Sequence, residues 1–325
     1  MPADIHEQLT KYIADAHAIE VQAIAQLERA PDAAGFPAFE EALRGHLAET
    51  RRHERLTRRL LEERGEAPSR LKDLLMGIGG KGFLAFARAM PDTPGKLLSH
   101  ALSYEALEVA AYELLARTAD RAGEEPVATT ALEICGDERA MASRLEGCFD
   151  GAVEASLRAA GAGDLGGRLR SYLADAHALE RQAIDLLGRA ASASGDAALD
   201  EVYEDHLVET REHAELVKAR LDELGGDTSG VKDAAMRVGA LNWSAFFAAQ
   251  PDTGGKLAAF AYAFEHLEIG GYEQLRRVAE LASDPETAST AERILAQERA
   301  AAARLEGRFD EAVTVALAAH GIAAR

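Results

Sequence analysis

The chain has 325 residues and a formal net charge of −19, and its richness in alanine, leucine, glutamate and arginine favours helix throughout. So acidic a chain lacks the basic face that nucleic acid needs; the charge is compatible with attracting cations, though an acidic surface is more often only a solubility device. No apolar run approaches the ~20 residues that cross a bilayer and no basic-then-apolar leader opens the sequence, so no membrane partner and a cytoplasmic location are expected.

In chain order, the first helical segment covers about residues 4–30 and ends at Pro31 and Gly35. Its apolar stripe of Leu9, Ile13, Ile24 and Leu27 is completed by His17 and Glu20. The second segment, 37–64, closes at Gly65 and Pro68 and sets His46, Glu49 and His53 on the face of Phe39, Leu43 and Leu60. The connection that follows, Ser69–Met90, is long enough to cross a bundle, so that helices two and three run parallel. Asp92-Thr93-Pro94 supplies caps and an N-terminal proline for helix three, 94–122, which places Glu105 and Glu108 beside Leu98, Ala101, Tyr112 and Leu115. Gly123 and Pro126 precede helix four, 127–160, which carries Glu138 among Ala131, Ile134, Leu145 and Phe149 and closes at Gly161.

The whole pattern then recurs 160 residues later. Leu9–Ala30 returns as Leu169–Ala190, His46-Leu-Ala-Glu49-Thr-Arg-Arg-His53 as His206-Leu-Val-Glu209-Thr-Arg-Glu-His213, and Arg144-Leu-Glu-Gly147 as Arg304-Leu-Glu-Gly307. The chain therefore reads as all-α: two tandem four-helix bundles, 1–161 and 168–325, joined by a glycine-rich linker at 162–167. Cys135 and Cys148 have Leu295 and Arg308 as counterparts, so they form no repeated framework and point to a reducing compartment.

Every helix thus brings ionisable groups to mid-length on its inward face, and the second copy repeats them as His177, Glu180, His206, Glu209, His213, Glu265, Glu268 and Glu298. An unpaired buried carboxylate costs several kcal/mol. Five per bundle need protons, arginines or cations, and few basic residues share these stripes. Two divalent ions bring +4 against −5, close to balance. Carboxylate with imidazole and no thiolate suits iron or manganese better than structural zinc. The expected metal ligands are Glu20, Glu49, Glu105, Glu108 and Glu138 with at least one of His46 and His53, and in the second copy Glu180, Glu209, Glu265, Glu268 and Glu298 with at least one of His206 and His213. His17 stands evenly between ligand and hydrogen-bonded core histidine. Tyr112 and Tyr272 read as packing residues with hydrogen-bonded hydroxyls.

These motifs resemble the YciE/YciF family of bacterial ferritin-like stress proteins. The matching stretches are Asp15-Ala-His-Ala-Ile-Glu20, His46 to His53, Tyr104-Glu105-Ala-Leu-Glu108-Val-Ala-Ala-Tyr112 and Glu138-Arg139, once in each half. The resemblance implies two tandem ferritin-like bundles, two irons in each, and Fe(II) oxidation by dioxygen or peroxide. Such proteins carry one domain, so the fusion here points to a covalent pseudo-dimer, with two independent bundles on a tether as the alternative. The chain departs from the general ferritin-like pattern of Glu-x-x-His on helices two and four. Helix two offers His46-x-x-Glu49 and Glu49-x-x-x-His53, and helix four has Met141 and Ala142 where a second ligand should fall. A metal-sequestering protein without turnover and a metal-free helical scaffold are the competing readings.

Overall fold

In the computed structural model, residues 4–67, 93–159, 164–227 and 253–323 are described. The long connection expected over Ser69–Met90, and its repeat, lie outside them. The chain divides into two compact units, Met1–Gly161 and Ala162–His320. The first unit contains α1 (Ile5–Leu27), a 3-10 turn (Ala30–Ala33), α2 (Pro37–Glu62), α3 (Thr93–Ala122), α4 (Glu125–Glu146) and α5 (Phe149–Ala159). The second contains α6 (Leu165–Ala193), α7 (Ala197–Glu223), α8 (Thr253–Leu281), α9 (Pro285–Glu306) and α10 (Phe309–Ala319). Among the described residues there is no strand, and no helix is long and apolar enough to cross a membrane. The all-α, two-bundle architecture is the one expected.

The helix ends follow from local chemistry. The Asp4 carboxylate accepts from the His6 amide at the start of α1, Asp196 caps α7 through Ala198 and Leu199, and Asp284 caps α9 through Thr287. Gly65 and Gly123 end α2 and α3 with φ of +73° and +72°, a left-handed turn that glycine adopts without strain. The amide of Glu124 then reaches back to the Ala119 carbonyl at 2.9 Å.

Within the first unit α1 pairs with α2 and α3 with α4, while α1 also packs on α3 and α2 on α4. Consequently α1 faces α4, and α2 faces α3, across the core. Leu9, Ile13, Phe39, Leu43, Leu98, Leu102, Ile134 and Leu145 fill it with almost no solvent contact. Each such side chain contributes roughly 1.5–3 kcal/mol of burial. The starts of α2 and α3 lie at one end, where Gly35 meets Pro94, so these two helices run in parallel as expected.

Two boundaries differ from the sequence reading. The helix expected over 127–160 breaks at Gly147 into α4 and α5, and its counterpart breaks at Gly307. The break lets α5 turn across the bundle end, where the Ser156 hydroxyl accepts from the Gly95 amide at 2.9 Å and Gly151 packs under the Phe36 ring. Phe149, Ala152 and Val153 are buried there, which a straight helix running past the bundle could not achieve. The second difference is that α6 begins at Leu165, inside the segment read as linker.

Gly35 holds this corner. Its φ is +77°, and a Cβ there would lie 2.7 Å from Pro94 Cγ. Gly35→Ala is expected to cost about 2 kcal/mol or more through strain and overlap together, lowering the thermal midpoint by several degrees. An unchanged midpoint in a calorimetric scan would show that the corner yields freely.

Candidate metal centre

Helical geometry explains which side chains meet. His46 and His53 are seven residues apart on α2, two turns along one face, and Glu105 and Glu108 are three apart on α3. Glu20 comes from α1 and Glu138 from α4, so all four helices point ligands at the bundle centre. In the first unit His46, Glu105, Glu108 and Glu138 bring ligand atoms within 4.8 Å of one another, and Glu20, His53 and Glu138 do the same. The second unit repeats both groups as His206, Glu265, Glu268 and Glu298, and Glu180, His213 and Glu298. All are buried.

Glu138 belongs to both groups. Its Oε2 stands 3.2 Å from His46 Nε2, and its Oε1 stands 2.8 Å from His53 Nδ1. Glu105 Oε2 lies 3.1 Å from His46 Nε2. In the second unit Glu298 lies 3.2 Å from His206 and 2.8 Å from His213, and Glu265 lies 2.8 Å from His206. Neighbouring ligands around a six-coordinate ion with bonds of ~2.1 Å stand ~3.0 Å apart. These spacings therefore match the edges of a coordination shell.

Hydrogen bonding gives the same reading. Glu20 Oε2, His46 Nε2, His53 Nδ1, Glu105 Oε2 and both oxygens of Glu108 and Glu138 are buried without a directed hydrogen bond, as are their second-unit equivalents. Buried polar atoms are normally satisfied. Here the unsatisfied ones converge, and they are of the oxygen and imidazole type that hard divalent ions take. Per half the donor set is four carboxylates and two imidazoles, so two divalent ions balance −4 with +4. This is the inventory of dinuclear carboxylate bundles, redistributed: both histidines sit on α2 and a Glu-x-x-Glu pair sits on the facing α3.

Glu49 and Glu209, expected among the ligands, stand outside the clusters. The Glu49 carboxylate accepts from His46 Nδ1 at 2.9 Å and from Arg144 at 2.5 Å, and it is partly exposed. Glu209 accepts from His206 at 3.0 Å and from Arg304 at 2.5 Å. Glu49 therefore fixes Nδ1 of His46 as the N–H side and turns Nε2 toward the centre. The expected five carboxylates and three imidazoles become four and two, because His17 also lies apart, with Nδ1 3.1 Å from the Thr57 hydroxyl. Met141, where a second helix-four ligand was sought, is a buried core residue. The Tyr112 hydroxyl donates to Glu20 Oε1 at 2.5 Å, the oxygen that also stands 3.8 Å from His53 Nδ1, and Tyr272 donates likewise to Glu180. Sequence reasoning missed Asp137, which accepts from His53 Nε2 at 3.0 Å, and Gln297, which accepts from His213 Nε2 at 3.1 Å.

The electrostatics without metal are those of protons standing in for cations. Burial, then the Glu138 charge, raises Glu20 to about 8. Burial with three neighbouring carboxylates pushes Glu108 far above the carboxylate range. Burial alone opposes a charge on Glu138, yet His46 and His53 overcome it and hold Glu138 at about 2. His46, which burial lowers, is carried to about 12 by Glu105 and Glu138.

A family described as "Domain of unknown function (DUF892)" matches the chain twice, over residues 4–158 and 167–318. That family lies in the ferritin-like superfamily. No solved structure matches the chain.

Proposed function

Because the chain belongs to the DUF892 family in both of its halves, we propose that it is a ferritin-like dinuclear metal protein, taking two iron ions per bundle and oxidising Fe(II) with peroxide or dioxygen. The observation that carries this reading is Glu138, a buried carboxylate that presents one oxygen to each of two histidine-containing groups. Within the family we place it beside the YciE/YciF stress proteins, on the motifs around Glu20, His46 to His53 and Glu105 to Tyr112. The donor set accepts manganese as well.

Two bound Fe(II) ions would supply the two electrons that, with two protons, reduce one hydrogen peroxide to two waters. The protein supplies the rest. His46, Glu105 and Glu108 would hold one ion and Glu20 and His53 the other, with Glu138 within reach of both. Glu49 and Asp137 orient the two imidazoles, and Tyr112 orients Glu20. The surrounding leucine and alanine core keeps bulk water from the reacting pair. The buried, unpaired Cys135 and Cys148 suit the reducing compartment in which Fe(II) is available.

The test is metal content by mass spectrometry after anaerobic loading with Fe(II) and desalting. About four irons per chain are expected, two for each half. Glu105→Ala together with Glu265→Ala should lower that content and slow peroxide-dependent Fe(II) oxidation at least about ten-fold. Iron held without peroxide consumption would mark a sequestering protein. No retained iron would leave only the scaffold reading.

A further inference from the structure

Among the described residues the two halves share their six ligands but differ in what bonds the far nitrogen of one of the two histidines. Around His46 and His206 the surroundings are alike: Glu49 with Arg144 in one half, Glu209 with Arg304 in the other, at 2.9 and 3.0 Å from the imidazole. Around His53 and His213 they are not. His53 Nε2 donates to the Asp137 carboxylate, whose other partner is Arg52, whereas His213 Nε2 donates to the neutral Gln297 amide. Glu212 takes the place of Arg52, but it is exposed and screened by solvent.

We propose that the four metal positions of this chain are not equivalent: the Glu180–His213–Glu298 position binds its ion about ten-fold more weakly than the other three and is the exchangeable one. The inference rests on the dinuclear reading above. An imidazole that donates to a carboxylate carries more electron density on its opposite nitrogen than one that donates to an amide. His53 Nδ1 is therefore a stronger ligand atom than His213 Nδ1, while His46 and His206 serve as an internal reference within each half. Asp137 and Gln297 are positioning residues, and each touches only the far side of its histidine.

The experiment is Mn(II) titration of the full-length chain, followed by the electron paramagnetic resonance signal of free Mn(II), with thermal unfolding as a check on folding. The wild type is expected to show three tight sites and one about ten-fold weaker per chain. Asp137→Gln should give two tight and two weak sites. Gln297→Asp should give four tight sites, a gain that no loss of structure can imitate. The reach is available, since Asp137 spans the same gap to His53 at 3.0 Å. Four equal sites in the wild type, or site classes unmoved by both substitutions, would overturn the inference and leave the dinuclear reading intact. Mn(II) binding to no site at all would overturn both.

Discussion

Glu138→Ala with Glu298→Ala should abolish metal binding in the full-length chain, and either substitution alone should halve it. Among the described residues of its half no other has this reach, because Glu138 alone stands in both ligand groups. Its removal leaves His46, Glu105 and Glu108 on one side and only Glu20 and His53 on the other. The same substitution should also destabilise the metal-free protein. Glu138 is the counter-charge for two buried imidazoles, at 3.2 and 2.8 Å, and stripping one partner from a buried ion pair costs about 3–5 kcal/mol. Glu108→Gln provides the contrast. Glu108 is held neutral by burial and by the charges of Glu138, Glu20 and Glu105, so an amide of the same shape should leave the metal-free midpoint unchanged or raised while still weakening metal binding. Metal analysis and thermal unfolding of the two variants separate these effects. Equal midpoints for both in the absence of metal would show that the pairing of Glu138 with the histidines is not what holds the centre.

Much of this centre is written in helical spacing. Glu20, His46, His53, Glu105, Glu108 and Glu138 fall on inward stripes that a 3.6-residue period identifies, and the structure brings them together. Glu49 shows the limit of that method. Three residues from His46 and four from His53, it lies on the same broad stripe, but at the edge where α2 meets α4 and Arg144 is waiting. Periodicity fixes a face to within a residue's width and does not show what stands opposite. Arg144 and Arg304 are visible as repeated residues, yet their role as clamps on Glu49 and Glu209 depends on packing between helices. Asp137 was hidden for another reason. Attention to what repeats passes over a position that reads Asp in one copy and Gln in the other. The break at Gly147 had its signal in a repeated glycine, but a single glycine lowers helix stability by only about 1 kcal/mol. The docking of Phe149 and Gly151 against the bundle end decides the bend.

Metal and protons should compete for the centre, and this competition predicts opposite pH dependences with and without metal. In the metal-free protein Glu20 is raised to about 8 by burial and the Glu138 charge. Burial lifts Glu105 and Glu265 to about 7 against the pull of His46 and His206. A raised carboxylate stabilises the fold fully below its unfolded value of about 4.5 and loses that contribution as pH climbs through the folded value. His46, carried to about 12, contributes fully below about 6.5 and loses its contribution above it. Glu138, held at about 2, acts oppositely: it contributes above about 4.5 and loses that only as pH falls toward 2. Metal-free stability should therefore peak near pH 5 and decline through pH 8.5, with a thermal midpoint at least about 5 °C higher at pH 6 than at pH 8.5. Metal binding needs the deprotonated ligands, so loading one half near pH 7 should release about three protons, from Glu20, Glu108 and His46, with a fraction from Glu105. Affinity should then rise by roughly thirty-fold per ion for each pH unit, and the midpoint of the loaded protein should climb where that of the metal-free protein falls. Midpoints measured from pH 5 to 9 with chelator and with Mn(II), beside proton release in weak buffer, decide the matter. Parallel curves with no protons released would mean that the carboxylates are already ionised and paired, and that the cluster is not a metal centre.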